Sequence, residues 1–169
     1  LGEPQMCRRA RLDSISQRDT GWIKIYCWDH QQIIDTVIKA YWLAEKISIP
    51  IMVCYDGYIL SHTYMPFDLP DQEKVDAFLP PFQPDYALNP GEPANLNTVT
   101  LPDVRIDTKG QLAHGYMENR YLLQEELRTT LQIAADAEKR FAEIFGRGGN
   151  PYIEPYRCDD ADYVAVGLG

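Results

Sequence analysis

Hydrophobic and polar positions change phase along the chain, and each change marks an element. Trp22-Ile23-Lys24-Ile25-Tyr26-Cys27-Trp28 is β-branched and aromatic with apolar residues on both faces, which predicts a buried strand. A helix signal follows at once. Asp29 is a capping residue and Gln32 stands three positions later, the spacing of a capping box. Ile33, Ile34, Val37, Ile38, Tyr41, Ala44 and Ile47 then recur at helical spacing. Ser48-Ile49-Pro50 ends that run, because proline disfavours the α conformation in the residue before it. Ile49 to Tyr55 reads as a second apolar strand. Strand, helix and strand over residues 22–55 make a βαβ unit, so the fold class is α/β with part of a parallel sheet and helices on both faces.

Beyond this unit the pattern loosens and then becomes helical again. Pro70-Asp71 opens a short helix with Val75, Phe78 and Leu79 on its apolar side, closed by Pro80-Pro81. Residues 80–115 hold Pro84, Pro90-Gly91, Pro93, Pro102 and Gly110 and read as an extended arm. "NTVTLPDVRI" within it predicts a short edge hairpin. Tyr116 to Phe145 predicts one long helix, with Met117, Tyr121, Leu127, Leu131, Ala134, Phe141 and Phe145 on one stripe and an Asp136–Arg140 pair at i,i+4. Gly146-Arg147-Gly148-Gly149 ends it. Last, Tyr163-Val164-Ala165-Val166-Gly167-Leu168-Gly169 reads as a buried strand running into a glycine turn, with nothing after it to pair with. A first βαβ unit without a preceding strand and a last strand without a partner are expected of the middle of a longer protein.

Charge narrows the possible partners. Of 169 residues 25 are acidic and 16 are Lys or Arg, a formal net charge of −9. Such a surface repels nucleic acid and anionic lipid. No run of 18 apolar residues signals a membrane span. Cys7, Cys27, Cys54 and Cys158 form no C-x-x-C, the usage of a reduced, cytoplasmic protein.

The candidate chemistry gathers where the second strand ends. In open parallel sheets ligands bind beyond the carboxyl ends of the strands. Asp56, Gly57, Ser61 and His62 lie there, although an Asp-Gly pair is more often simply a turn. On an extended segment, neighbouring Ser61 and His62 point apart, which argues against a nucleophile–base pair. His30, His62 and His114 lack metal-ligand spacing, so neither a metal site nor a catalytic residue is assigned. Arg8, Arg9, Arg11 and Arg18 are the only local positive group, suited to a carboxylate or phosphate, or to surface pairing with Asp13 and Asp19. The closing Gly167-Leu168-Gly169 is a weak sign of a nucleotide loop.

Taken together, "DSISQRDTGWIKIY", "IPIMVCYDGYILSHT", "PDQEKVDAFLPPF" and "AEIFGR…YRCDDADYVAVGLG" resemble the alpha subunit of 2-oxoacid:ferredoxin oxidoreductases, the pyruvate synthase family, in the family's own order. The resemblance implies a multi-subunit enzyme that decarboxylates pyruvate or a related 2-oxoacid on thiamine diphosphate. It implies coenzyme A as acyl acceptor, and electrons passed to ferredoxin through iron–sulfur clusters in other subunits of beta, gamma or delta type. It also implies that magnesium and the diphosphate are gripped by another subunit or domain, so that this chain alone is inactive. Residues 1–66 then resemble the second half of the pyrimidine-binding domain, 67–150 the connecting arm and long helix, and 151–169 the start of a transketolase C-terminal-like domain. Asp56, Gly57, Ser61 and His62 match the loop facing the cofactor cleft. Members of the family often carry Gly/Asn-Asp-His where this chain has "MCRRARL". On the substrate side that implies Arg9, Arg11 and Arg18 as candidates for a more anionic, oxalate-like dicarboxylate. A non-catalytic docking or assembly subunit on the same fold is the alternative.

Overall fold

The computed structural model describes residues 13–83, 104–106, 112–114 and 116–168. Among them the order is β1 (Ile23–Tyr26), α1 (His30–Ile47), β2 (Ile51–Cys54), α2 (Ile59–His62), α3 (Gln72–Phe78), β3 (Val104–Ile106), β4 (Leu112–His114) and α4 (Tyr116–Phe145). Two units are distinguished. One holds the described residues up to Pro80 and those from Gln132 onward; the other holds the described residues of 81–131.

In the first unit β1 and β2 pair in parallel, with Ile23 opposite Ile51 and Tyr26 opposite Cys54. The ladder runs one residue further, since the Cys27 amide donates to the Cys54 carbonyl at 2.8 Å. Half of the capping box forms as its spacing predicts, Asp29 Oδ1 accepting from the Gln32 amide at 2.7 Å; the return bond goes one residue further back, Gln32 Oε1 accepting from the Trp28 amide at 2.8 Å. Satisfying the orphan Gln32 donor and the amide just before the cap lets the helix start within a few residues of the strand end. Its other end is at Ile47, where Ser48 takes a left-handed φ of 53° and donates its amide to the Ala44 carbonyl. The α/β fold read from the sequence is the fold observed.

The apolar stripe of α1 differs from the one its periodicity suggests. Thr36, Ala40, Leu43 and Ile47 are buried on one side, while Ile38, flanked by Ile34 and Trp42, is buried on the opposite side. Tyr41 and Val37, predicted inside, are exposed. The cause is that α1 is a middle layer. One face lies against the sheet, where Thr36 sits beside Cys27 and the Cys27 thiol donates to the Gln32 carbonyl at 3.9 Å. The other packs on α3 and the end of α4 around Phe78, Phe141 and Phe145. A helix buried on two opposite faces has no single stripe.

Phe78 is fully buried, as the short-helix pattern predicts, with Val75 and Leu79 beside it. It meets Phe141 edge-on at 5.5 Å and Phe145 at 6.1 Å, while Phe141 and Phe145 stack at 4.2 Å. Three cations lie over these rings: Lys39 over Phe141, Arg140 over Phe78 and Arg147 over Phe145. Each cation is also held by an oxygen. Lys39 Nζ pairs with Glu138 Oε2 at 2.8 Å, Arg147 grips both Asp35 oxygens at 2.8 Å, and Arg140 Nη2 donates to the Ala77 carbonyl at 2.8 Å. The expected Asp136–Arg140 pair is therefore not made. Arg140 turns to the last carbonyls of α3, and Asp136 accepts from Gln132 instead.

α4 has the predicted limits and ends at Gly146, whose φ of +72° is open to glycine at no steric cost. Its predicted stripe is buried only toward the end: Phe141 and Phe145 are inside, and Met117, Tyr121 and Leu131 are exposed. In the second unit β3 and β4 form an antiparallel hairpin, Val104 opposite His114 and Ile106 opposite Leu112. Only residues 104–106 of the predicted hairpin segment are among the described ones. Residues 163–168 run without a ladder partner among the described residues, and Tyr163 and Val166 are exposed.

Candidate functional site

The carboxyl ends of β1 and β2 lie side by side, and each leads into a helix within a few residues. The β-pleat sorts their side chains. Cys27 lies on the α1 face beside Thr36, whereas Tyr26 and Cys54 lie on the other face beside Ser14, in a helical turn at 13–16. Ser14 Oγ and Tyr26 Oη are 2.9 Å apart. Burial pushes both the Cys27 and the Cys54 thiol up, and Cys54 adds a smaller rise to Cys27. They are small apolar residues that fill the strand ends, in keeping with their place in apolar runs.

Past β2 the loop is organised by Asp56. Its Oδ2 accepts from the amides of Tyr58 at 3.1 Å and Ile59 at 2.6 Å, and its Oδ1 accepts from Leu60 at 2.7 Å. One carboxylate thus serves three donors that the first turn of α2 leaves unpaired. Asp56 is a cap rather than one corner of a plain Asp-Gly turn. The glycines with left-handed φ among the described residues are Gly21 and Gly146, so Gly57 is not needed for its backbone angle. Thr63 closes α2 from behind, its amide and hydroxyl both bonded to the Ile59 carbonyl.

Ser61 and His62 do meet. Ser61 Oγ is 2.7 Å from His62 Nδ1, and the His62 ring stacks on Tyr58 at 5.9 Å. The expectation that the two point apart assumes an extended backbone; α2 is helical, and a step of about 100° brings neighbouring side chains within reach. Both residues are exposed. The contact fixes Nδ1 and turns Nε2 away from Ser61. Trp28, Tyr55 and Tyr58 are exposed around these strand ends, giving the loop an aromatic border.

Gln31, in the first turn of α1, is not singled out by the sequence. Its Oε1 accepts from the Asp68 amide at 2.6 Å, and its Nε2 donates to the Asp68 carbonyl at 3.2 Å and to Asp35 Oδ1 at 3.0 Å. No local signal marks it, because the partner is a backbone 37 residues away. Arg18 is exposed and its Nε lies 3.3 Å from Asp19 Oδ2, the surface pairing expected as its plainer role. Such a pair contributes little. Arg9 and Arg11 lie outside the described residues. Among the described residues no group of three or more His, Cys, Asp or Glu is placed to hold a metal ion, and no helix is long and apolar enough to cross a membrane.

With this geometry in place, comparison with known proteins is informative. Residues 2–127 match the family described as pyruvate flavodoxin/ferredoxin oxidoreductase, thiamine diphosphate-binding. The pyruvate synthase subunit PorA of Methanothermobacter thermautotrophicus is 42% identical over 171 residues, covering 100% of this chain and 42% of that protein. PorA of Methanocaldococcus jannaschii is 39% identical over 161 residues, 93% of this chain and 39% of its own length. The ketoisovalerate oxidoreductase subunit VorA of Pyrococcus abyssi is 37% identical over 160 residues, 94% and 38% of the two chains. The chain thus spans about two fifths of the length of the curated relatives it matches.

Proposed function

The chain belongs to the thiamine diphosphate-binding family of pyruvate flavodoxin/ferredoxin oxidoreductases, and from that premise we propose that it forms one wall of a thiamine diphosphate cleft in the alpha subunit of a 2-oxoacid:ferredoxin oxidoreductase. The single observation that carries the reading beyond family likeness is the pair of parallel strand ends, with a capped loop and an aromatic border where a ligand of such a sheet binds.

The described residues fit one end of that cofactor. Trp28, Tyr55 and Tyr58 offer exposed ring faces and edges to a flat heterocycle. No carboxylate cluster is placed for magnesium among them. In this proposal the chain holds the ring end, and, as the family resemblance implies, another subunit or domain holds the diphosphate and its magnesium. When bound, thiamine diphosphate supplies a nucleophilic carbon that allows a 2-oxoacid to lose carbon dioxide. The part played here is binding and orientation. Asp56 freezes the loop, and Ser61 sets the His62 ring so that Nε2 is the nitrogen offered to a ligand. Arg9, Arg11 and Arg18 belong on the substrate side of the same proposal.

Residues 1–66 are read as the second half of the pyrimidine-binding domain, 67–150 as the arm and long helix, and 151–169 as the start of a transketolase C-terminal-like domain. Iron–sulfur clusters, coenzyme A and ferredoxin engage other parts of a cytoplasmic assembly. Titration calorimetry with thiamine diphosphate tests the reading on the full-length subunit, alone and with its co-expressed beta-type partner. Heat only with the partner present is expected. No heat in either case contradicts the proposal and favours a docking subunit.

A further inference from the structure

The row Gln31, Asp35 and Lys39 runs along α1 at i, i+4 and i+8, and each member reaches a different segment. Gln31 takes the Asp68 backbone, Asp35 takes Arg147, and Lys39 takes Glu138. The last two join α1 to the end of α4 and its following turn, at the partly buried edge of the core. Gln31 differs in what it holds. Residues 63–71 are a stretch without helix or strand that leaves α2 at Thr63 and reaches α3 at Gln72. Tyr64, Met65, Phe67 and Leu69 in it are exposed, so apolar burial does little to fix its path. Its middle is held by Gln31 through both the amide and the carbonyl of Asp68.

The side-chain amide of Gln31 is itself oriented. Nε2 donates to Asp35 Oδ1, Asp35 is gripped at both oxygens by Arg147, and Arg147 feels the Asp68 charge as well. With Nε2 assigned to Asp35, Oε1 is left to accept the Asp68 amide, which is the arrangement seen. Gln31 stands in the first turn of α1, just after β1, and the segment it holds leaves α2, just after β2. It therefore ties the start of α1 to the segment that follows α2.

We propose that Gln31 is a positioning residue, which sets the Asp56–His62 loop for its ligand by tethering the segment behind it at Asp68. This rests on the reading of that loop as cofactor-facing, but the tether is testable apart from it. The probes are Gln31→Ala and Gln31→Glu in the full-length subunit within its assembly, followed by hydrogen–deuterium exchange of residues 63–71 and by the KM and kcat for thiamine diphosphate.

Gln31→Ala is expected to speed exchange in residues 63–71 roughly tenfold, with β1 and β2 unchanged. It should raise KM for thiamine diphosphate severalfold and leave kcat alone. Gln31→Glu adds a readout that a merely structural role would not move. The carboxyl that this change introduces can both donate and accept while protonated, as the glutamine amide does; once ionised it can only accept. The charged groups beside it are Asp35 on α1, which Gln31 touches, and Arg147, which grips Asp35 and also feels the Asp68 charge. Asp35 opposes its ionisation, while the Asp68 amide and the Arg147 guanidinium favour it. After correction for intrinsic rates, exchange in Gln31→Glu should rise from acidic pH toward about pH 8 as the carboxyl loses its donor to the Asp68 carbonyl, and should stay below that of Gln31→Ala because the acceptor for the Asp68 amide remains. Unchanged exchange in both variants overturns the tether, as does a rise that extends equally to β1 and β2. Faster exchange with unchanged KM overturns the positioning role. Failure of the parent assembly to use thiamine diphosphate at all would strike the function proposed for the loop, while the exchange data still decide the tether.

Discussion

Phe78→Ala is expected to lower the unfolding free energy of the first unit by about 3–5 kcal/mol. The ring is fully buried between α1, α3 and the end of α4, and it is the common neighbour of Trp42, Phe141 and Phe145. Removing it opens a cavity that two stacked rings and a β-branched Ile38 cannot collapse to fill. It also removes the face over which the Arg140 guanidinium lies. A domain whose whole stability is roughly 5–15 kcal/mol would then be near its limit. Urea unfolding of the full-length protein, followed by tryptophan fluorescence, measures the shift. Leu69→Ala, at a site 78% exposed, is the internal contrast and should move the midpoint little. Equal effects from the two changes would mean that the phenylalanine cluster is not the core.

The second large effect comes from charge. Arg147→Ala leaves the Asp35 carboxylate, 10% exposed, without its partner. An uncompensated buried charge costs about 3–5 kcal/mol, and the lower end is expected because Arg147 itself is a third exposed. Replacing both partners, Asp35→Leu with Arg147→Met, should cost less than Arg147→Ala alone, because no orphaned charge remains. A double-mutant cycle on urea midpoints decides the matter. If the double replacement is the more damaging, the pair contributes net stability and the desolvation argument fails. Asp35→Leu also frees the Gln31 amide, so faster exchange in residues 63–71 should accompany it.

The βαβ unit is legible in the sequence because its signals are local. A β-branched run, a cap three residues before a matching glutamine, and a proline after the helix all act within one turn of chain. The limits of α4 are legible for the same reason, with a long periodic run and a glycine stop. What stays hidden depends on distance or on shortness. The partners of Asp35 and Lys39 lie 112 and 99 residues away, so both read as ordinary surface charges on a helix. The two-faced burial of α1 follows from α3 and α4 arriving on its far side, which no stripe on α1 announces. α2 has four residues, too few to show a period, so the Ser61–His62 contact escapes a reading that treats this single turn as extended. The Asp56 loop is found by its position after a strand rather than by its chemistry. Its work as a three-donor cap emerges only when the backbone is drawn.

Titration of thiamine diphosphate into the assembled enzyme carrying Asp56→Ala addresses the central proposal most directly, with the exposed Glu73→Ala as control. The loss of three capping bonds should loosen the loop and weaken binding by roughly tenfold or more, with the control unchanged. Undiminished affinity in Asp56→Ala would contradict the placement of the cofactor at these strand ends.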